Sequence, residues 1–108
     1  MLSPVPFVAT HAAPEVLFTF TLTCDLAGEA TFDILFTPDR TTLHHADAVA
    51  WWQQESQKAW PTWDALVTET VDTFYDTLLP KKVTCTAVIT LPEGQQQVRY
   101  FRTQPTTA

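Results

Sequence analysis

This chain predicts an α+β fold of order ββααββ, with two helices on one face of a four-stranded antiparallel sheet. Three observations point to it. A pair of stretches near the start alternates with period two, a second such pair lies near the end, and the residues between them carry helical spacing.

Over residues 16–24 the even positions read Val16, Phe18, Phe20, Leu22 and Cys24, and the odd ones Leu17, Thr19, Thr21 and Thr23. One face is apolar and the other polar, which is a half-buried strand. After a loop at 25–29 that holds Gly28, Ala30, Phe32, Ile34 and Phe36 alternate with Thr31, Asp33, Leu35 and Thr37. The pair reads as a hairpin, followed by a Pro38-Asp39 turn. Thr42 is a candidate cap for a helix over 43 to about 59, which Pro61 ends. Thr62 caps a second helix, in which Trp63, Leu66, Val67, Thr70, Val71, Phe74 and Leu78 recur at three- and four-residue spacing before Pro80 stops it. Val83, Cys85, Ala87, Ile89 and Leu91 then alternate with Thr84, Thr86, Val88 and Thr90, and a turn at 91–95 leads into a strand over 96–103. In that last strand Val98 and Tyr100 share one face, Arg99 and Phe101 the other. Residues 1–14 and 105–108 read as flexible arms around one domain with an ordered core of about 15–104.

A length of 108 residues is one domain's worth. With 45% of residues hydrophobic and 17% charged, disorder, a collagen and a disulfide scaffold are excluded. Six basic residues against twelve acidic give a net charge of −6, and only Lys81 and Lys82 are adjacent. Nucleic acid and anionic membranes are therefore not expected partners. Neither a signal peptide nor a span of apolar residues long enough for a bilayer is evident, so a cytoplasmic protein with Cys24 and Cys85 as thiols is expected.

The polar sheet face carries Thr19, Thr21, Thr23, Thr31, Asp33, Thr37, Thr84, Thr86, Thr90, Gln97 and Arg99. Such a face is either simply solvated or the wet interior of a barrel that several copies form edge to edge.

This order and these spacings resemble the tunnelling fold, the ββααββ unit of dihydroneopterin aldolases, GTP cyclohydrolases, pyruvoyltetrahydropterin synthases and 7-cyano-7-deazaguanine nitrile reductases. The local likeness is to the nitrile reductases. Cys24-Asp25-Leu26-Ala27-Gly28-Glu29 keeps the Cys-x-x-x-Gly spacing of their nucleophile loop, followed by a strand, a Pro-Asp turn and two helices, with Leu79-Pro80 closing the second. The resemblance implies a homo-oligomer that holds a purine- or pterin-like heterocycle at a subunit interface. It places Cys24 as the nucleophile that forms a thioimide, with Glu29 or Asp25 as proton carrier and NADPH as hydride donor where reductase activity is retained. The family's Glu-Ser-Lys-Ser-Leu-Lys segment, which meets cofactor and substrate, is replaced here from His44 onward by His-His-Ala-Asp-Ala-Val. The glutamate that anchors the ring falls at Trp63, with Asp64 beside it.

Each of these residues also has a plain structural reading. Cys24 and Cys85 continue apolar strand faces, as small core residues do. His44 and His45 are adjacent, diverge by about 100° on a helix, and with Asp47 make a poor chelate, so no metal is expected. Asp64, Glu69, Asp72 and Asp76 read as the solvated side of the second helix. Trp51, Trp52, Trp60 and Trp63 crowd one short stretch. Either they form a helix–helix corner or at least one is exposed, rimmed by Gln53, Gln54 and Gln57. The second choice describes a non-catalytic acidic interaction protein, of immunity or inhibitor type, that docks its partner through the Trp-rich helix.

Overall fold

The computed structural model describes residues 2–8, 14–23, 29–58 and 62–105. Among these lie the strands β1 (Val5–Pro6), β2 (Val16–Thr23), β3 (Glu29–Thr37) and β4 (Thr41–Thr42), the helices α1 (His45–Glu55) and α2 (Trp63–Leu78), and the strands β5 (Lys82–Leu91) and β6 (Gly94–Thr103). The main sheet has the order β2-β3-β5-β6 with every neighbouring pair antiparallel. The α+β class and the ββααββ order of the long elements are as the sequence predicts.

Strict alternation fixes the register. Phe32 lies between Phe20 and Ala87, Ile34 between Phe18 and Cys85, and Phe36 between Val16 and Val83, so the apolar side chains of three strands form one surface. A one-residue slip would turn all of them into water. α1 packs over β2 and α2 over β5 and β6. Phe32, Ile34, Phe36, Leu66, Phe74 and Leu78 are fully buried there. Burial of each such side chain stabilises the fold by roughly 1.5–3 kcal/mol.

Local chemistry sets the ends of α2. The Thr62 hydroxyl accepts from the Ala65 N–H at 3.1 Å. At the other end Leu79 takes the left-handed conformation, φ 48°, and its N–H donates to the Tyr75 carbonyl, because Pro80 cannot continue the helix. Replacing Thr62 with alanine is expected to cost about 1 kcal/mol of folding free energy, read from urea midpoints at unchanged slope.

Two expectations need correction. Thr42 does not cap α1. It pairs with Val5 in a short second sheet, and the helix starts at His45 behind His44, whose side chain makes no capping bond. Residues 2–8 are not a loose arm, since Leu2 is buried in the core and the Phe7 N–H donates to the Arg40 carbonyl at 2.9 Å. Of the two readings of the tryptophans, burial holds for Trp51, Trp52 and Trp63, while Trp60 lies outside the described residues. Trp52 stacks on Phe20 at 5.0 Å and meets Phe32 at 4.9 Å, Trp51 sets its edge against Phe74 at 5.2 Å, and Trp63 packs on Phe32. The underlying sheet is rich in phenylalanine, which gives rings on two diverging helix faces something to cover.

Candidate functional site

Among the described residues nothing covers the side of the sheet away from the helices, and the pairing there aligns side chains in rows across the strands. One row runs Leu17, Leu35, Thr84, Phe101; the next runs Thr19, Asp33, Thr86, Arg99. Leu17 and Phe101 are 57% and 56% exposed and Leu35 36%, so a stripe of large apolar groups crosses a face that apart from Val88 the alternation makes polar. Thr84, between them, is buried.

Next to the stripe lies a depression of about 380 Å³ with Leu17, Leu35, Thr84 and Thr86 in its lining. Its acids, Glu15 and Asp33, belong to the β2–β3 half of the face, and its bases, Lys82 and Arg99, to the β5–β6 half. Asp33 accepts a hydrogen bond from the Thr19 hydroxyl at 3.0 Å. Lys82 sits 5.5 Å from the centre of the Phe101 ring. Arg99 makes no ion pair with any described residue. Acid and base thus remain apart, with Thr86 between Asp33 and Arg99 in the row.

On the helix side, the other arginine of β6 is fully engaged. Arg102 lies 3.9 Å from the centre of the Tyr75 ring and contacts Asp72 at 3.1 Å and Asp76 at 3.8 Å. Half-exposed pairs of this kind contribute little individually, but they hold β6 against α2.

The residues singled out from sequence do not converge. Cys24 lies outside the described residues. Glu29 is exposed at the start of β3 and, by alternation with Thr31 and Asp33, belongs to the bare face. Asp64 is exposed in the first turn of α2, on the helix side. Trp63 meets Phe32 while Phe74 meets Phe36, so α2 begins at the Glu29 end of the sheet. Glu29 and Asp64 therefore share an end but lie on opposite faces. His44 is at the other end, because His45 packs on Phe18 whereas Trp52, late in α1, packs on Phe20 and Phe32. Trp63 is only 7% exposed and its ring covers Phe32, which leaves little of it for a ligand.

Cys85 is a buried thiol, with its pKa pushed up from 9.0 to about 12 by burial and, secondarily, by the negative charge of Asp33. A thiol held neutral in this way is a packing group. Among the described residues no group of three or more His, Cys, Asp or Glu is placed to hold a metal ion, and no helix is long and apolar enough to cross a membrane.

The apolar stripe is what sequence reasoning missed. Leu17 and Leu35 interrupt runs of threonine on the polar positions and so were visible, but only the register sets them in line with Phe101. No family model matches the chain, and no curated protein matches it.

Proposed function

We propose that this chain is a cytoplasmic, homo-oligomeric binding protein of tunnelling-fold type that takes a flat purine- or pterin-like heterocycle at a boundary between copies. The observation that carries the reading is the architecture: a ββααββ unit with both helices on one face of the sheet and nothing described on the other. Among the described residues the outer edges of β2 and β6 are unpaired as well. Such a unit presents a face and two edges suited to further copies. Asp64 is the ring anchor in this reading, its exposed carboxylate accepting N–H bonds, with the positive end of α2 beside it. Binding is proposed ahead of turnover, because Glu29 and Asp64 approach the sheet end from opposite faces and Cys85 is inert.

Titration of the purified protein with neopterin and with guanine, followed by fluorescence, tests this. Saturable binding is expected, weakened roughly 10- to 100-fold in Asp64→Asn, whose amide presents hydrogens where the ring N–H groups need acceptors. Unchanged affinity in that variant, or no binding by either compound, would sink the reading.

One observation favours the interaction-protein reading, namely the exposed Leu17, Leu35 and Phe101. Docking would then use the sheet, since Trp51, Trp52 and Trp63 lie in the core.

A further inference from the structure

We propose that the bare sheet face is a two-fold interface with a second copy of the chain, in which the β2–β3 half of each copy covers the β5–β6 half of the other. The proposal rests on the oligomeric part of the reading above and is independent of the heterocycle.

The face is divided across its width. Among the described residues its charged groups are Glu15, Asp33 and Glu29 on the β2–β3 side, and Lys82 and Arg99 on the β5–β6 side. Consider a two-fold axis parallel to the strands, above the line between β3 and β5. It exchanges β2 with β6 and β3 with β5 while leaving height along the strands unchanged. Leu17 of each copy then faces Phe101 of the other, and Leu35 faces Thr84, because these four share one row. One row along, Asp33 is set over Thr86 and next to Arg99, and Glu15 is brought toward Lys82. Every described acid of the face meets the basic half, and the apolar stripe meets itself. This is the isologous complementarity that a closed dimer needs. Twisted sheets stack about 10 Å apart with strands within about 30° of each other, a gap that leucine, phenylalanine and arginine side chains span.

Size is adequate. Strands of 8 to 10 residues, four across, give a face of roughly 30 Å by 19 Å, on the order of 600 Å² per copy before side-chain relief is counted. Standard stable interfaces cover about 800 Å² per partner. An edge-to-edge ring, by contrast, would leave Leu17, Leu35 and Phe101 facing water.

Light scattering on the eluting protein, combined with charge reversal, tests the proposal. At about 50 µM the native chain is expected at twice its 12.2 kDa mass. Asp33→Arg alone and Arg99→Asp alone each set like charges together twice per dimer, so each is expected to run as a monomer, its affinity for a second copy weakened by roughly a hundredfold or more. When the two variants are mixed, position 33 of either chain again meets an opposite charge at position 99 of the other, and the dimer mass is expected to return. Circular dichroism melts confirm that both variants are folded. An oligomer that survives both single reversals would overturn the proposed face while leaving oligomerisation intact, as an edge-to-edge ring predicts. A native chain that is monomeric at that concentration would overturn self-association altogether and leave the stripe to a foreign partner.

Discussion

Trp52→Ala is expected to remove about 3–5 kcal/mol of folding free energy and to lower Tm by roughly 15 °C or more. The indole is 5% exposed and stacks on Phe20 with 9° between the planes. It also meets Phe32 and Trp51, and its Nε1–H donates to the Thr21 carbonyl at 3.4 Å. Deleting it leaves a cavity walled by three rigid rings that cannot collapse inward, and it removes the ring contacts of α1 with Phe20 and Phe32. Trp52→Phe keeps a ring over Phe20 and should cost less than half as much. Guanidinium unfolding monitored by far-ultraviolet circular dichroism decides the matter. A loss below about 1 kcal/mol in Trp52→Ala would mean that the ring is not core and would reopen docking through α1.

Alkaline pH is the second large effect. Burial lifts the Cys85 pKa from 9.0 to about 12 in the folded chain. The group is neutral when protonated, so raising its folded pKa means that the folded state holds the proton more tightly than the unfolded one. The stabilisation is whole below pH 9, where the thiol is protonated in both states. It declines by about 1.4 kcal/mol per pH unit above that and levels off near pH 12, a total of roughly 4 kcal/mol. Cys85→Ala cannot ionise there. Unfolding curves for the two proteins at pH 7.5, 9 and 10.5 should diverge only above 9, with the native chain losing the more. All other groups are common to both proteins and cancel in the difference. Parallel curves would place the thiol in contact with water.

Most of the fold was legible because its physics is local. Period-two threonine and phenylalanine in β2 and β3, the Thr62 cap and the Leu79-Pro80 stop are each decided within a few residues. β1 and β4 were not legible, since a two-residue strand has no period, and the hydroxyl of Thr42 reads equally as a cap or a pairing residue. The neighbouring Thr41 hydroxyl in fact donates to the Leu78 carbonyl, a contact between residues far apart in the chain. The site was less legible than the fold. From sequence Glu29 reads as a loop residue and Asp64 as part of the solvated side of α2; only the start of β3 at Glu29 and the packing of α2 put the two on opposite faces of one sheet. Likewise Leu17 and Phe101 are ordinary exposed residues until three successive registers align them.

The sheet order follows the chain order, yet its central pairing, β3 with β5, joins residues on either side of both helices. The β2–β3 and β5–β6 pairs join strands that are close in the chain and can form within microseconds, whereas the middle seam must bring together ends about 45 residues apart, an entropic cost of roughly 3 kcal/mol. Folding is thus expected to be slowest at the line where Ile34 meets Cys85 and Phe36 meets Val83. Until that line closes, the two hairpins are separate ribbons, each with an apolar face and an open inner edge. A nascent or stressed chain is most prone to exchange a hairpin with its neighbour there, and the αα segment between the halves is the tether that limits it.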